Sequence, residues 1–275
     1  MQTAKRALVI LSVAWLLSSL AFGAWLFFGW ERDFSQASPA IAGASEPVDE
    51  EHARLIYRYF PEKLSQHWEE MLIRDYFNDR RGGTFVDVGA NHYRTRSTTH
   101  YLDVALGWRG IAVDPITELA ADYEEHRPGT IYVAAYAGER SDEDVEFFVV
   151  SRNTRLSTGV EDLARRLEED GEVESRVVKT ASLTDILDAH GFQSLDLLKM
   201  DIELAEPAAL RGFDIDRFRP KLILIEYHEE VRDEIDAYMT EHNYVKLERY
   251  MRWDPNAWFV PAEDLPAFLS RADGV

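Results

Sequence analysis

Eight residues of this 275-residue chain combine types and spacings that can do chemistry: Asp87, Gly89, Ala90, Asn91, Asp114, Asp201, Glu203 and His228. Phe85-Val86-Asp87-Val88-Gly89-Ala90-Asn91 reads as an apolar strand running into a small-residue turn, and Gly110-Ile111-Ala112-Val113 as a second strand ending on Asp114-Pro115. Open parallel sheets hold nucleosides with such a pair. Gly89 and Ala90 keep the turn free of bulk so that backbone approaches a ligand, and a helix expected to start near Asn91 would present unpaired N–H groups to it. Asp114 lies 25 residues beyond Gly89, close to the roughly 20 residues that separate such a turn from its ribose-binding acid. An ionised carboxylate is acceptor-only, so Asp114 can take hydrogen bonds from both ribose hydroxyls. Asp87 is placed to orient the amino group of the same ligand, directly or through water, or else to cap the turn. The expectation is an adenosine-containing cofactor.

A second group lies downstream. Asp201, Glu203 and Glu206 follow the apolar run Leu197-Leu198-Lys199-Met200. Clustered acids of this kind can bind a divalent cation, orient part of a cofactor or contact a substrate, and Glu206 can instead favour a helix N-terminus. No metal-ligand set is assigned. Glu226 and His228 flank Tyr227 at the end of another apolar run, so the two-residue period sends both side chains to one side. With an ordinary pKa of about 6.5, His228 is the candidate general base for a hydroxyl substrate. Lys199 reads as a sheet-edge or packing residue.

A nicotinamide or flavin site would carry G-x-G-x-x-G at the first turn. Here Gly89 is followed by His92, Tyr93 and Arg94. That argues against a packed pyrophosphate and is closer to the turn of S-adenosylmethionine enzymes. The blocks Asp87 to Asn91, Leu106-Gly107-Trp108-Arg109-Gly110, Thr180 to Leu187, Asp196 to Glu206 and Arg219 to His228 together resemble the FkbM family of S-adenosylmethionine-dependent methyltransferases, over roughly residues 82–260. The resemblance implies a Rossmann-like, class I methyltransferase fold. It also implies methyl transfer from S-adenosylmethionine to a sugar, glycolipid or other small hydroxyl acceptor, with Asp201 or His228 taking the proton. Such families usually carry glycines where Tyr93 and Leu204 stand. Bulk at these two positions is expected to narrow the cofactor pocket, and His92 and Tyr93 to line the cleft.

The elements that must hold these residues follow from the pattern of the chain. Strands are expected near 84–88, 109–114, 130–134, 145–150, 175–179, 195–201 and 221–227, with 244–249 and 256–260 closing the sheet. Repeated βα units predict an α/β, doubly wound, mainly parallel sheet. Between Leu55 and Phe77 apolar residues recur at helical spacing, with Pro61 dividing two lead-in helices. Glu161 to Glu174 reads as a solvated helix and turn.

Hydrophobic residues make up 46% of the chain and aromatics 12%, a globular composition. Formal charge is −20, and Lys5 and Arg6 are the only charges in residues 1–30, so the remainder carries −22. That repels phosphate backbones, and nucleic acid is excluded as a partner. The chain has no cysteine, which removes disulfides, thiolate metal sites and thiol nucleophiles.

Ala7 to Trp30 is an uncharged run of 24 residues, about 36 Å as a helix and long enough to span a ~30 Å hydrocarbon core. The expected organisation is a cytoplasmic tip and single-pass membrane anchor over 1–30, a flexible linker over 31–51, lead-in helices over 52–82 and a methyltransferase-like domain over 83–275. The alternative for the N-terminus is a cleaved signal peptide. Charge bias around the span places the domain outside, whereas a cytosolic cofactor favours the cytoplasmic face. Two other functions compete: a membrane-tethered binding protein with a degenerate pocket, and an NAD-dependent oxidoreductase or epimerase.

Overall fold

A computed structural model describes residues 64–150, 154, 157–160, 165 and 172–272. The expected anchor, the linker, Pro61 with the first lead-in segment, and most of Glu161 to Glu174 lie outside these residues. Among the described residues no helix is long and apolar enough to cross a membrane.

The elements run α1 (Glu69–Phe77), β1 (Thr84–Val88), α2 (His100–Val104), β2 (Arg109–Val113), a 3-10 turn (Thr117–Leu119) and α3 (Ala120–His126). There follow β3 (Thr130–Val133), β4 (Tyr136–Ala137), β5 (Asp144–Val150), β6 (Val173–Ala181), α4 (Leu183–Ala189) and β7 (Leu197–Met200). The rest is α5 (Glu206–Arg211), α6 (Ile215–Phe218), β8 (Leu222–Ile225), α7 (Arg232–Glu241), β9 (Tyr244–Lys246), α8 (Glu248–Met251), β10 (Ala257–Pro261) and α9 (Leu265–Ala272).

Seven strands form the main sheet in the order β3-β2-β1-β7-β8-β10-β9. β1, β2, β3, β7 and β8 are parallel, and β10 runs antiparallel to both β8 and β9. β7 and β8 are buried along their whole length, as strands covered on both faces must be. The two-residue period sorts their side chains. Val86, Val88, Leu198, Met200, Ile223 and Ile225 meet α4, α5 and α7 on one face, while Phe85, Leu197, Leu222 and Leu224 meet α1, Trp108 and Trp258 on the other. Asp87 and Lys199 are register partners on that second face, above its apolar residues.

Local chemistry sets the helix ends. Ser182 caps α4 by accepting from the Asp185 N–H at 3.1 Å, and Asp214 caps α6 by accepting from the Arg217 N–H at 3.2 Å. Asn78, with φ 50°, ends α1 in the left-handed conformation.

The fold departs from expectation in three places. β5 and β6 leave the main sheet and, with the short strand β4, build a three-stranded sheet in the order β4-β6-β5. β6 alternates half-buried and exposed residues along most of its length, so it lacks the two apolar faces that a central parallel strand needs. The strand expected over 244–249 stops at Lys246, and Glu248–Met251 turns into α8.

No helix starts near Asn91; residues 91–99 form a loop and α2 begins at His100. Asn91 adopts φ 46°, its Oδ1 accepts from the His92 N–H at 2.9 Å, and His92 Nδ1 accepts from the N–H groups of Arg94 and Thr95. Side chains thus take the donors that helix carbonyls would otherwise satisfy. The loop is pinned from behind by Arg127, which donates from Nη1 to Tyr93 O at 2.9 Å and from Nη2 to Thr99 O at 3.2 Å. Its Nε pairs with Asp103 at 2.9 Å, and neither side chain is more than 2% exposed.

Candidate active site

A cavity of about 390 Å³ opens at the C-terminal ends of β1, β2, β7 and β8, within the ~300–1,000 Å³ usual for small-molecule sites. All eight residues singled out from the sequence border it. Its position is where open α/β sheets take ligands.

The turn after β1 is tightly built. Gly89 has φ 73°, and a Cβ there would lie 1.8 Å from the Asp201 carbonyl oxygen, so only glycine fits. The N–H groups of Gly89 and Ala90 both donate to Val113 O, at 2.9 and 3.3 Å. The Asn91 N–H is not left for a ligand, because it donates to Asp114 Oδ2 at 3.0 Å. The other Asp114 oxygen accepts from the Ile116 N–H at 3.0 Å. Each oxygen retains acceptor capacity toward the cavity, which fits a ribose diol. Burial pushes the empty-site pKa of Asp114 up to about 6, against the lowering effect of those two N–H groups.

Asp87 is 1% exposed. Its Oδ2 accepts from the Thr99 hydroxyl at 2.8 Å, and its Oδ1 lies 3.2 Å from Lys199 Nζ, an ion pair rather than a well-directed hydrogen bond. Lys199 therefore sits at no sheet edge. It stands on the central strand β7 beneath the cleft, donating to Gly89 O at 3.1 Å and lying 3.7 Å from Asp201 Oδ2. Burial alone would lower its pKa, but Asp87 and Asp201 reverse the effect and hold it charged.

The far side of the cavity is acidic. Desolvation, opposed by Lys199 and reinforced by Glu226, raises Asp201 to about 7. Asp201 borders the cavity, with 46% of its side-chain surface accessible. Burial and the neighbouring Glu226 and Asp201 raise Glu203 to about 8. His228 Nε2 lies 3.0 Å from Glu226 Oε1 and 3.9 Å from Glu203 Oε2. The closer contact is poorly angled for a hydrogen bond, so the pairing is chiefly electrostatic. Glu226 nonetheless raises His228 to about 9, and the imidazolium prevails at neutral pH. Glu206 is fully buried and faces back along the chain, accepting from the Ile202 N–H at 2.9 Å at the start of α5. Its structural alternative is the one seen. Ligand atoms of Glu203, Glu226 and His228 lie within 4.8 Å of one another, a spacing that can admit a divalent cation, but all three side chains are half-buried and no metal role is assigned to them.

The bulky residues expected to narrow the pocket do not reach it. Tyr93 stacks between His92 and His126, with ring centroids 4.6 Å from each, and neither Tyr93 nor His92 borders the cavity. Leu204 packs against the main core instead, and it does so at φ 77°, a conformation that favours glycine. The departure costs backbone strain rather than cofactor space. Sequence reasoning gave Lys199 a packing role and Glu226 only a shared side with His228, and it passed over Thr99, which donates to Asp87, and Gln66, His67 and Asn256, which complete the wall from distant segments. A lysine inside an otherwise apolar strand was the one available signal.

Among solved structures the chain is similar to a precorrin-6y C5,15-methyltransferase from Geobacter metallireducens, at 10% identity over 68% of this chain and 77% of that one, TM-score 0.39. It is also similar to a TehB-like SAM-dependent methyltransferase from Corynebacterium glutamicum, at 11% identity over 77% and 95% of the two chains, TM-score 0.39. A third is a Burkholderia thailandensis 1,6-didemethyltoxoflavin-N1-methyltransferase bound to its substrate and S-adenosylhomocysteine, at 11% identity over 79% and 90%, TM-score 0.35. TM-scores below 0.5 leave these as distant likenesses. No curated protein matches the sequence. The Methyltransferase FkbM domain, by contrast, matches residues 87–246, more than half of the chain and the span from Asp87 through the sheet to β9. The chain belongs to the FkbM family of S-adenosylmethionine-dependent methyltransferases.

Proposed function

We propose that this methyltransferase transfers a methyl group to a hydroxyl of a small neutral acceptor, a sugar or glycolipid, near a membrane surface. The observation that carries the reading is the acidic cluster of Asp201, Glu203 and Glu226 around His228, beside the proposed adenosine-binding edge of one cavity. An ionised carboxylate such as Glu226 is acceptor-only, so a hydroxyl entering here finds a partner for its donor. The uncharged run over residues 7–30 supports a tether that raises local acceptor concentration.

S-adenosylmethionine, when bound, supplies a methyl group activated on a sulfonium. Asp114 would hold the ribose hydroxyls, and the turn at Gly89 would lie against the nucleoside. The acceptor hydroxyl would have to lie in line with that methyl group, and Asp201 would take the acceptor's proton. Asp201 suits this role better than His228, because burial and Glu226 raise it above the usual carboxylate range and so strengthen it as a base, while Glu226 keeps His228 protonated. The histidine then serves as a fixed positive charge opposite Glu226 and Glu203.

The test is methyl-¹³C-labelled S-adenosylmethionine incubated with a panel of free sugars, glycolipids and amines, read by NMR, with Asp201→Asn in parallel. The expected result is an O-methyl signal and a kcat about 10²–10⁴ lower in the variant. Label appearing only on nitrogen, or a variant within about threefold of the parent, overturns the assignment.

A further inference from the structure

We propose that Lys199 is a positioning residue for the cofactor: from beneath the cleft it fixes the Gly89 turn and the carboxylates of Asp87 and Asp201 in their binding orientation. An ammonium has donors and no acceptor, and four groups surround this one: Gly89 O at 3.1 Å, Val88 O at 3.5 Å, Asp87 Oδ1 at 3.2 Å and Asp201 Oδ2 at 3.7 Å. All four lie at the ends of β1 and β7, and Lys199 acts through them.

The placement is costly unless those partners matter. A lysine side chain only 10% exposed requires compensation by opposite charge, and an apolar residue would pack the same strand with less desolvation. What an apolar residue could not do is hold the ends of two neighbouring strands together through their polar groups. Asp87 ends one strand and Asp201 follows its neighbour, and their backbones already meet through the Asp201 N–H donating to Val88 O at 3.1 Å. Lys199 adds the side-chain layer to that junction. The Gly89–Ala90 peptide is thereby clamped on both sides, its carbonyl by Lys199 and its N–H by Val113 O. The second Asp87 oxygen is taken by Thr99, which Arg127 holds in turn at 3.2 Å through Nη2. The cofactor-facing turn is in this way tied to a buried network that ends on a single cation.

The chain lacks cysteine, which allows a selective test on the full protein. Lys199→Cys is alkylated in denaturant and refolded, either with 2-bromoethylamine, which restores an ammonium at the length of lysine, or with 1-bromopropane, which gives a neutral side chain of the same shape. S-adenosylmethionine affinity is measured by calorimetry at low temperature on protein whose near-ultraviolet circular dichroism matches the parent. The expected result is affinity lowered at least about tenfold in the propyl adduct, with recovery to within about threefold in the aminoethyl adduct. A propyl adduct that binds as tightly as the parent overturns the proposal. So does one that fails to regain the parental spectrum while the aminoethyl adduct succeeds, since the ammonium would then serve folding alone.

Discussion

Gly89→Ala combines two penalties that the structure allows to be separated. Gly89 has φ 73°, and an added Cβ would lie 1.8 Å from Asp201 O. Left-handed backbone costs a residue with a Cβ about 1–2 kcal/mol. Relieving the overlap means moving the end of β1 away from the chain beyond β7 by more than an ångström, at the expense of the 3.1 Å bond from the Asp201 N–H to Val88 O and the packing around it. Overpacking of this kind costs a further ~1–3 kcal/mol and the bond ~1 kcal/mol. The whole effect is about 3–6 kcal/mol, or roughly 6–24 °C in Tm for a domain of this size. Gly107→Ala is the control. Its φ is 67°, and its Cβ would meet nothing within 4 Å, so only the backbone penalty of about 1 kcal/mol applies. Urea denaturation of both variants beside the parent measures the difference. Equal losses in the two variants, or a loss below about 1 kcal/mol at Gly89, would refute the reasoning that close approach of Asp201 reserves this position for glycine.

Other expectations concern charge and strain. If Asp114 is the ribose-binding acid proposed above, it binds best when ionised, and with its pKa at about 6 S-adenosylmethionine affinity should be full above pH 6 and fall about tenfold per unit below it. Calorimetry across pH 5–8 checks this, and in Asp114→Asn the component should vanish along with most of the affinity. The empty protein should respond in the opposite sense: the folded pKa lies above the unfolded one, so this group's contribution to stability rises as pH falls from about 6 to 4. Arg127→Met removes one partner of a buried pair and should cost about 3–5 kcal/mol; pairing it with Asp103→Leu should recover part of that loss in the same denaturation assay. Leu204→Gly should change stability by less than about 1 kcal/mol, as relief at φ 77° offsets lost packing. Neither it nor Tyr93→Gly should tighten S-adenosylmethionine binding, because neither side chain borders the cavity.

Much of the fold was legible because apolar periodicity is a local signal. β1, β2, β3 and β8 fall within a residue or two of the runs read from sequence, and β10 matches the expected closing strand over 256–260, whereas β9 ends three residues short of its expected bound. The helix expected at Asn91 was not found, since the side chains of Asn91 and His92 satisfy nearby backbone donors, a competition that hydrophobic pattern does not report. The two-residue strand β4 was too short to register as a period, and the separate small sheet followed from the exposed residues of β6.

At the candidate site the sequence determined the chemistry on offer: a glycine turn, acids where strands end, and His228 two residues beyond Glu226. Those follow from residue type and strand parity, which a chain carries with it. Only the tertiary structure decided how these groups act on one another. Register brings Lys199 against Asp87 across 112 residues of chain, and turns a residue that resembled packing into the cation beneath the cleft. Convergence of β7 and β8 sets Asp201 and Glu203 beside Glu226 and His228, and so raises both acids that follow β7. The conformations of Tyr93 and Leu204 carry their bulk away from the cavity. Each of these depends on distances between segments far apart in sequence, and the strength of a charge interaction is fixed by such distances and by the water that the fold excludes.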